Sequence, residues 1–279
     1  MRALSRRDFL RWVARLMPAG AFGLIGLYGY KVEPSWVDEE HREIPIPNLP
    51  RDSDGLRMVH LSDIHLGPHV PLAHVEQILH RVESIPADVI ALTGDYVTGS
   101  ASHLEPAVHL LARLTADRPV LAVLGNHDHW VGAARVSDLL RAAGCQLLIN
   151  EAVPVTAGDP GIWVAGLDDV WAGNPDVVRA LADVPAGAVI ITLVHEPDFA
   201  DRVAPHGVSL QLSGHSHGGQ VRLPWLGAPI LPPWGRRYPA GLYRVRDMWL
   251  YTTRGIGVTA PPVRINCRPE ITVLTLRRS

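Results

Sequence analysis

The chain has 279 residues, of which 47% are hydrophobic, enough to build the full core of one catalytic domain. Its formal net charge of −2 provides no overall basic field, which argues against nucleic acid as a partner. The two cysteines, Cys145 and Cys267, are too few for a disulfide framework and lack the spacing of a zinc or redox motif, so we expect two buried free thiols rather than one bridge.

The chain begins with paired arginines and an apolar run. Ser5-Arg6-Arg7-Asp8-Phe9-Leu10-Arg11 precedes an apolar segment, Trp12 to Tyr30, which only Arg15 interrupts. This segment resembles a twin-arginine export signal, and an amphipathic surface helix is the alternative interpretation. The resemblance implies recognition by the twin-arginine export machinery and a location in the periplasm or on the outer face of the cytoplasmic membrane.

The N-terminal segment, residues 1–32, is either a cleaved signal or a retained anchor. The uncharged stretch from Leu16 to Tyr30 is shorter than the ~20 residues that span a bilayer comfortably. No clean small-x-small cleavage site follows the apolar run, so both forms stay open.

Residues 33–55 combine prolines with mixed charges and predict an extended linker, or an edge strand that leads into a catalytic domain over residues 56–279. In the first half of that domain, apolar runs alternate with segments of helical periodicity, which favours an α/β domain with parallel strands. Helices are predicted over Pro71 to Ser84, Leu104 to Leu114 and Val136 to Ala143. Beyond Glu151, short strands and turns with fewer helices predict a second, more mixed sheet.

Five of the apolar runs end in side chains that can bind metal or transfer protons. These residues are Asp63 and His65, Asp95, Asn126 with His127 and Asp128, His195, and His215 with His217. A parallel sheet presents its chemistry at one end of its strands, and carboxylate, imidazole and amide oxygen together suit divalent ions such as Mn, Fe or Zn. Taken singly, Asp63 and Asp95 also fit helix N-caps. We call the polar ends of these five apolar runs the five tips. Because such ordinary roles would have to hold at all five tips at once, we favour a metal centre.

The five tips also carry a family resemblance, over roughly residues 56 to 276. The motifs Asp63-x-His65, Gly94-Asp95, Gly125-Asn126-His127-Asp128, His195 and Gly214-His215-Ser216-His217 resemble those of the calcineurin-like metallophosphoesterases. Ser216 stands where threonine is more usual, a mild departure that leaves the ligands intact. The residues after His65 and His217 resemble the exported and membrane-associated bacterial branch. The resemblance implies two packed mixed β-sheets flanked by α-helices, a four-layer α/β/β/α fold.

The resemblance further implies a role for each site residue. One metal ion would be held by Asp63, His65, Asp95 and His217, and the second by Asp95, Asn126, His195 and His215, with Asp95 as the bridge. A hydroxide that bridges the two ions would attack the phosphorus of a phosphoester substrate. His127 would face the leaving-group oxygen as an acid, and Asp128 would accept a hydrogen bond from the other nitrogen of that ring.

The motifs imply a reaction type and leave the substrate open, so we expect phosphodiester or pyrophosphate hydrolysis at the cell envelope. The segment from Pro224 to Tyr243 is apolar and aromatic and carries Arg236 and Arg237. It suits a lipid-linked substrate or a membrane surface, which makes a UDP-2,3-diacylglucosamine-type lipid pyrophosphate hydrolase one alternative; a proline-rich cover over the sheet is the simpler explanation. Arg254 fits either a phosphate contact or a structural ion pair.

A non-catalytic scaffold of the same fold is the alternative from another class. Scaffold relatives would be expected to lose metal ligands or the acid. Here none of the ligands is missing and His127 is present, so the sequence favours an enzyme.

Overall fold

The computed structural model describes residues 23–156 and 160–279, which form two six-stranded β-sheets. The strands are β1 (Asp38–Ile46), β2 (Arg57–Leu61), β3 (Val89–Thr93), β4 (Val120–Val123), β5 (Gln146–Leu147), β6 (Glu151–Pro154), β7 (Ile162–Gly166), β8 (Val189–Leu193), β9 (Leu210–Ser213), β10 (Gly241–Val245), β11 (Met248–Thr252) and β12 (Glu270–Arg278). The twin-arginine motif lies outside the described residues.

Both sheets have a parallel centre with antiparallel neighbours. The first has the order β1-β12-β2-β3-β4-β5, in which β2 to β5 run parallel and β12 is antiparallel to β2. The second has the order β10-β11-β9-β8-β7-β6, in which β11, β9, β8 and β7 run parallel and the two outer strands are antiparallel. β1 pairs with β12 from Asp38 to Ile46. Residues 33–55, for which the sequence allowed either an extended linker or an edge strand, therefore contain an edge strand.

Alternating side chains on the strands build the layers. In β2, Met58 packs in a buried cluster with Ile191 of the second sheet, whereas Val59 packs with helical residues such as Ile78 and Leu79. This period of two divides the first sheet into a face toward the other sheet and a face toward the helices. A third cluster covers the outer face of the second sheet. The predicted architecture of two packed mixed sheets flanked by helices is confirmed.

The helices differ from the predictions mainly at their starts. They are α1 (residues 23–31), α2 (Leu72–Ser84), α3 (Val108–Leu114), α4 (Asn126–Ala142), α5 (Val177–Ala180) and α6 (Ala200–Val203). A 3-10 segment, Ala101–Ala107, precedes α3 and contains Pro106. The helix predicted from Val136 is the end of α4, which starts at Asn126 and is interrupted at Gly132, where φ is 119°. In the described part of the chain, no helix combines the length and apolarity that crossing a membrane requires.

The two cysteines do not pair. Cys145 and Cys267 are both buried free thiols, as predicted. The fold therefore rests on its buried clusters and backbone pairing rather than on a disulfide.

Candidate metal centre

The five predicted tips meet at one edge of the two-sheet core. β2, β3 and β4 deliver three of them from the first sheet, and β8 and β9 deliver two from the second. The chain leaves these strands through residues with positive φ, namely Asp63 (55°), His65 (52°), Asp95 (56°), His215 (67°) and His217 (51°). Such backbone is uncommon for residues other than glycine and concentrates at functional sites, because the surrounding structure must compensate its cost. Five of the seven predicted ligands have such backbone, which other described residues such as Asn48 and Arg246 share.

One group of potential ligands contains Asp63, His65 and His217, which are all buried and whose ligand atoms lie within 4.8 Å of one another. Nε2 of His65 is 2.9 Å from Nε2 of His217, and Nε2 of His217 is 3.3 Å from Oδ1 of Asp63. Thr98 Oγ1 lies 2.8 Å from Nδ1 of His65 and orients that ring. Two imidazole nitrogens this close need a proton or a cation between them, because facing lone pairs repel.

A second group contains Asp95, His195 and His215. Nδ1 of His195 donates to the carbonyl oxygen of Thr93 at 2.6 Å, and Nε2 of His215 donates to that of Pro233 at 2.8 Å. A carbonyl can only accept, so in its neutral form each ring presents its unprotonated nitrogen to the site. Those two nitrogens are 3.2 Å apart. Metal-binding histidines are commonly oriented in this way by a bond from the other nitrogen.

Asp95 lies between the two groups. Its Oδ2 is 3.5 Å from Nε2 of His65 and 3.2 Å from Nε2 of His195. Its Oδ1 accepts a hydrogen bond from the backbone N–H of His127 at 2.8 Å. A Cβ at Gly125 would collide with this carboxylate, so the close approach of β4 to Asp95 requires glycine at that position.

The residues present fit divalent cations. Oδ1 of Asn126 is buried and has no hydrogen-bond partner among the described residues. A buried acceptor left in this way costs about 1–3 kcal/mol, and a cation would satisfy it. Carboxylate, imidazole and amide oxygen form a donor set of the kind that borderline divalent metals accept. All seven predicted ligands therefore lie where a cation could be bound: Asp63, His65, Asp95, Asn126, His195, His215 and His217.

His127 sits at the rim of this centre. Its ring is 4.7 Å from that of His65 and 4.9 Å from that of Trp130, measured between centroids. A ring nitrogen of His127 lies within 4.8 Å of the potential ligand atoms of His65 and Asp95. The position of His127 is therefore compatible with a metal ligand as well as with an acid. Burial lowers the pKa of His127 from its ordinary value, which makes the protonated ring a stronger acid.

Asp128 corrects one prediction. We expect from the sequence that its carboxylate holds the His127 ring, but the carboxylate instead accepts from the backbone N–H groups of Asp95 at 2.8 Å, Tyr96 at 2.9 Å and Gly125 at 2.9 Å. The physical reason is that Asp128 is the third residue of α4, where a carboxylate reaches back to cap the helix. Asp128 therefore positions the backbone around Asp95 rather than the acid.

Charge and burial compete at the centre. Burial lowers the pKa of His215 to about 4, which keeps its ring neutral and available as a ligand. Burial also lowers the pKa of His195, but the carboxylates of Asp95 and Asp63 outweigh it and hold that pKa well above its usual range. Burial raises the pKa of Asp128 to about 7, and the nearby charge of Asp95 adds to this. The carboxylates thus attract positive charge to the centre.

Comparison with known proteins agrees with this geometry. The family model of the calcineurin-like phosphoesterases matches residues 56–219. The chain belongs to this family. It is 36% identical to the uncharacterized metallophosphoesterase YkuE of Bacillus subtilis strain 168, over 99% of both chains. It is 32% identical to the phosphodiesterase YaeI of Escherichia coli K12, over 98% of this chain and 99% of that one.

The structural likeness supports the fold. The crystal structure of TT1561 from Thermus thermophilus aligns with a TM-score of 0.52 at 14% identity, over 72% of this chain and 90% of that chain. The family model and the two relatives make the protein a metallophosphoesterase, a metal-dependent hydrolase, and the likeness agrees with its two packed sheets.

A cavity of about 640 Å³ opens beside the metal centre of this metallophosphoesterase. Trp130 and Trp171 line it, although the sequence analysis singled out neither of them. Trp130 follows His127 by three residues, so a helix starting at Asn126 would have placed it near the site. Trp171 carries no local signal, because only the fold brings its loop to this edge.

The segment from Pro224 to Tyr243 lies partly at the cavity and partly on the second sheet. Its first part is exposed at Trp225 and lines the cavity at Ile230 and Leu231. Its second part covers the second sheet, where the backbone N–H groups of Arg236 and Arg237 donate to the carboxylate of Asp198 at 2.9 and 3.0 Å.

The side chains of two arginines considered for anions have carboxylate partners. Nη1 of Arg237 is 2.5 Å from Oδ2 of Asp201. Nε of Arg254 is 2.7 Å from Oε2 of the buried Glu270, so Arg254 forms the structural ion pair rather than a free phosphate contact.

Proposed function

We propose that this metallophosphoesterase hydrolyses phosphodiesters with two divalent metal ions, and that His127 protonates the leaving group. The observation that carries the proposal is the position of Asp95 between two separate ligand groups, at 3.5 Å from His65 and 3.2 Å from His195. A single carboxylate in that place suits a pair of ions that share it. The name of the E. coli relative, a phosphodiesterase, supports the choice of ester.

The donor set favours Mn, Fe or Zn over harder ions, because imidazoles outnumber carboxylates. Divalent ions bound there would lower the pKa of water and neutralise phosphate oxygens. Asp63 and Asp95 supply the negative charge that balances them. Thr93 and Pro233 hold the ring orientations of His195 and His215 through their carbonyl oxygens.

The position of His127 at the rim of the centre supports its assignment to the leaving group. Its ring stands at the mouth of the cavity between His65 and Trp130. Its backbone N–H is bound by Asp95, which fixes its distance from the centre. Such a proton donor typically contributes about 10²–10⁴-fold to the rate.

The experiment is metal reconstitution. The full chain is stripped, reloaded with Mn or Zn, and assayed for metal content and for hydrolysis of bis(p-nitrophenyl) phosphate and p-nitrophenyl phosphate, beside Asp95→Asn and the exposed control Asp117→Asn. We expect two ions per chain and faster hydrolysis of the diester than of the monoester. Asp95→Asn should lose both properties, and Asp117→Asn should keep them. One ion per chain would contradict the dinuclear centre, and two ions without turnover of either ester would favour the non-catalytic scaffold.

We also propose that the protein works at the cell envelope after twin-arginine export. The support is Arg6 and Arg7 in the motif before the apolar run. Changing Arg6→Lys together with Arg7→Lys should retain the protein in the cytoplasm, whereas Arg2→Lys should not. Cell fractionation measures the export of both variants. Equal export of the two would contradict the twin-arginine route.

A lipid-linked pyrophosphate of the UDP-2,3-diacylglucosamine type is the second candidate substrate. It is favoured by exposed apolar side chains beside the cavity, such as Leu226 and Ile230, which are 69% and 80% exposed. α1 is bonded to the segment that pairs with Arg222, since the backbone N–H of Arg264 donates to the carbonyl of Gly29 at 2.8 Å and that of Arg222 donates to the carbonyl of Ile265 at 2.9 Å. Faster hydrolysis of the soluble diester than of the lipid-linked substrate in mixed micelles would contradict it.

A further inference from the structure

Two exposed tryptophans form a wall over the metal centre. Trp130 is 55% exposed and Trp171 is 42% exposed, and their rings are 5.2 Å apart at an angle of 78°. Trp130 lies 4.9 Å from the ring of His127, and Trp171 lies 5.8 Å from that of His215. The two indoles therefore connect the proposed acid with a metal-ligand histidine across the mouth of the cavity.

The position of Trp171 is fixed by buried carboxylates. Oε1 of Glu196 accepts from the backbone N–H of Trp171 at 3.1 Å, and Oε2 accepts from that of Val170 at 3.0 Å. Oδ1 of the buried Asp169 accepts from the same Trp171 N–H at 3.0 Å. Glu196 directly follows His195, so the strand that presents a candidate ligand also holds this tryptophan. A buried clamp of this kind keeps an exposed side chain in a defined place.

A second link joins the segment that carries Trp171 to α4, which carries Trp130. Nε2 of His129 is 2.9 Å from Oδ1 of Asp168, and Oδ2 of Asp168 accepts from the backbone N–H of Asn174 at 2.8 Å. The two tryptophans thus belong to elements that are bonded to each other, and the corner between their rings is preorganised.

The wall across the cavity is apolar as well. Ile230, Leu231 and Val263 line it opposite the polar centre, together with prolines. The side chains of Arg237 and Arg254 have carboxylate partners elsewhere, and Nε of Arg236 donates to the carbonyl oxygen of Leu231 at 3.4 Å. This apolar part of the cavity is therefore suited to an uncharged, apolar group.

We infer that Trp130 and Trp171 form a subsite for an apolar leaving group of the phosphoester substrate. The inference rests on the proposed function, because His127 marks the side on which the alcohol departs. A water oxygen would form a new bond to phosphorus while the P–O bond to that alcohol breaks. The alcohol oxygen would take a proton from His127, the proton released by the water would restore that ring, and the apolar part of the alcohol would pack in the corner of the two indoles. A ring would stack on one indole with its edge toward the other, and an alkyl chain would lie along both.

The test compares inhibitors that differ only in the group on phosphorus. Methylphosphonate, phenylphosphonate and hexylphosphonate compete with the diester in the metal-loaded full chain, in Trp130→Ala, in Trp171→Ala and in the control Trp225→Ala, whose side chain is fully exposed and does not line the cavity. In the wild type we expect phenylphosphonate or hexylphosphonate to bind about tenfold or more tightly than methylphosphonate. This ratio of affinities should fall toward one in Trp130→Ala and in Trp171→Ala, and it should stay unchanged in Trp225→Ala. A preference for phenyl would identify a ring, and a preference for hexyl a chain.

A direct binding measurement separates this inference from the proposed function. Quenching of tryptophan fluorescence by p-nitrophenylphosphonate needs no turnover, and Trp130→Phe and Trp171→Phe should keep the affinity that the alanine variants lose. If the quenching depends on these residues but the protein hydrolyses neither ester, the subsite is supported and the proposed function is contradicted. Turnover with inhibitor ratios that are unchanged in both alanine variants would overturn the subsite alone.

Discussion

The carboxylate of Asp128 accepts a hydrogen bond from the backbone N–H of Asp95 at 2.8 Å. The same carboxylate binds the N–H of Gly125 at 2.9 Å and that of Tyr96 at 2.9 Å. It therefore joins the ends of two neighbouring strands, β3 and β4, at the residue that lies between both ligand groups. The start of α4 and the shape of the metal centre are parts of one arrangement.

Asp128→Asn tests this arrangement. An amide keeps the size of the side chain but turns one acceptor into a donor, so at least one buried N–H loses its partner. We expect a loss of about 1–3 kcal/mol in the free energy of unfolding, measured with urea on the metal-free protein. Metal affinity should fall as well. Asp138→Asn, at an exposed position of the same helix, is the matched control, and equal stability of the two variants would contradict the role of Asp128.

His127→Gln should change the rate according to the leaving group. If the ring supplies a proton to the departing oxygen, diesters with alkyl leaving groups should slow by about 10²–10⁴-fold, and those with p-nitrophenolate, which leaves without help, should slow much less. Bound metal should stay unchanged. Loss of one ion in the variant would show that His127 is a ligand, and an equal loss of rate for all esters would exclude it as the acid.

The candidate ligands could be predicted from the sequence because each belongs to a short local motif. Asp63, Asp95 and His195 come directly after apolar strands, and parallel strands bring such positions to one edge. The partner of Asp128 was predicted wrongly, because capping depends on where α4 starts and not on which ring lies next in the sequence. Trp171 was missed for a related reason, since a loop far from any motif carries it to the site.

The apolar side chains beside the cavity should bind lipid surfaces. Replacing Leu223, Trp225 and Leu226 together with serine removes exposed apolar area and should reduce cosedimentation of the protein with anionic vesicles. Hydrolysis of a soluble diester should change little, because the metal centre is untouched. The control is a triple serine variant of Val178, Leu242 and Trp36, exposed apolar residues that do not line the cavity. Equal vesicle binding of both triple variants would contradict a membrane contact at this site.

The pair of His129 and Asp168 should make stability depend on pH. The hydrogen bond to Asp168 raises the pKa of His129 above its ordinary value. Burial raises the pKa of Asp168, but the bond to His129 together with those from the backbone N–H groups of Asn174 and Asp169 outweighs it and leaves that pKa lowered. A raised histidine pKa stabilises the fold below about pH 6.5, and this contribution is lost as the pH rises through the folded-state pKa.

The measurement compares the free energy of unfolding of the wild type and of His129→Gln at about pH 6 and about pH 9. The variant should be less stable by about 1 kcal/mol at the lower pH, where the pair is charged, and the difference should shrink at the higher pH. Below about pH 4 the difference should shrink again, as Asp168 becomes protonated. His109→Gln, at an exposed position of α3, should show no such change. A difference that stays constant across this range would mean that His129 contributes through packing rather than through its charge.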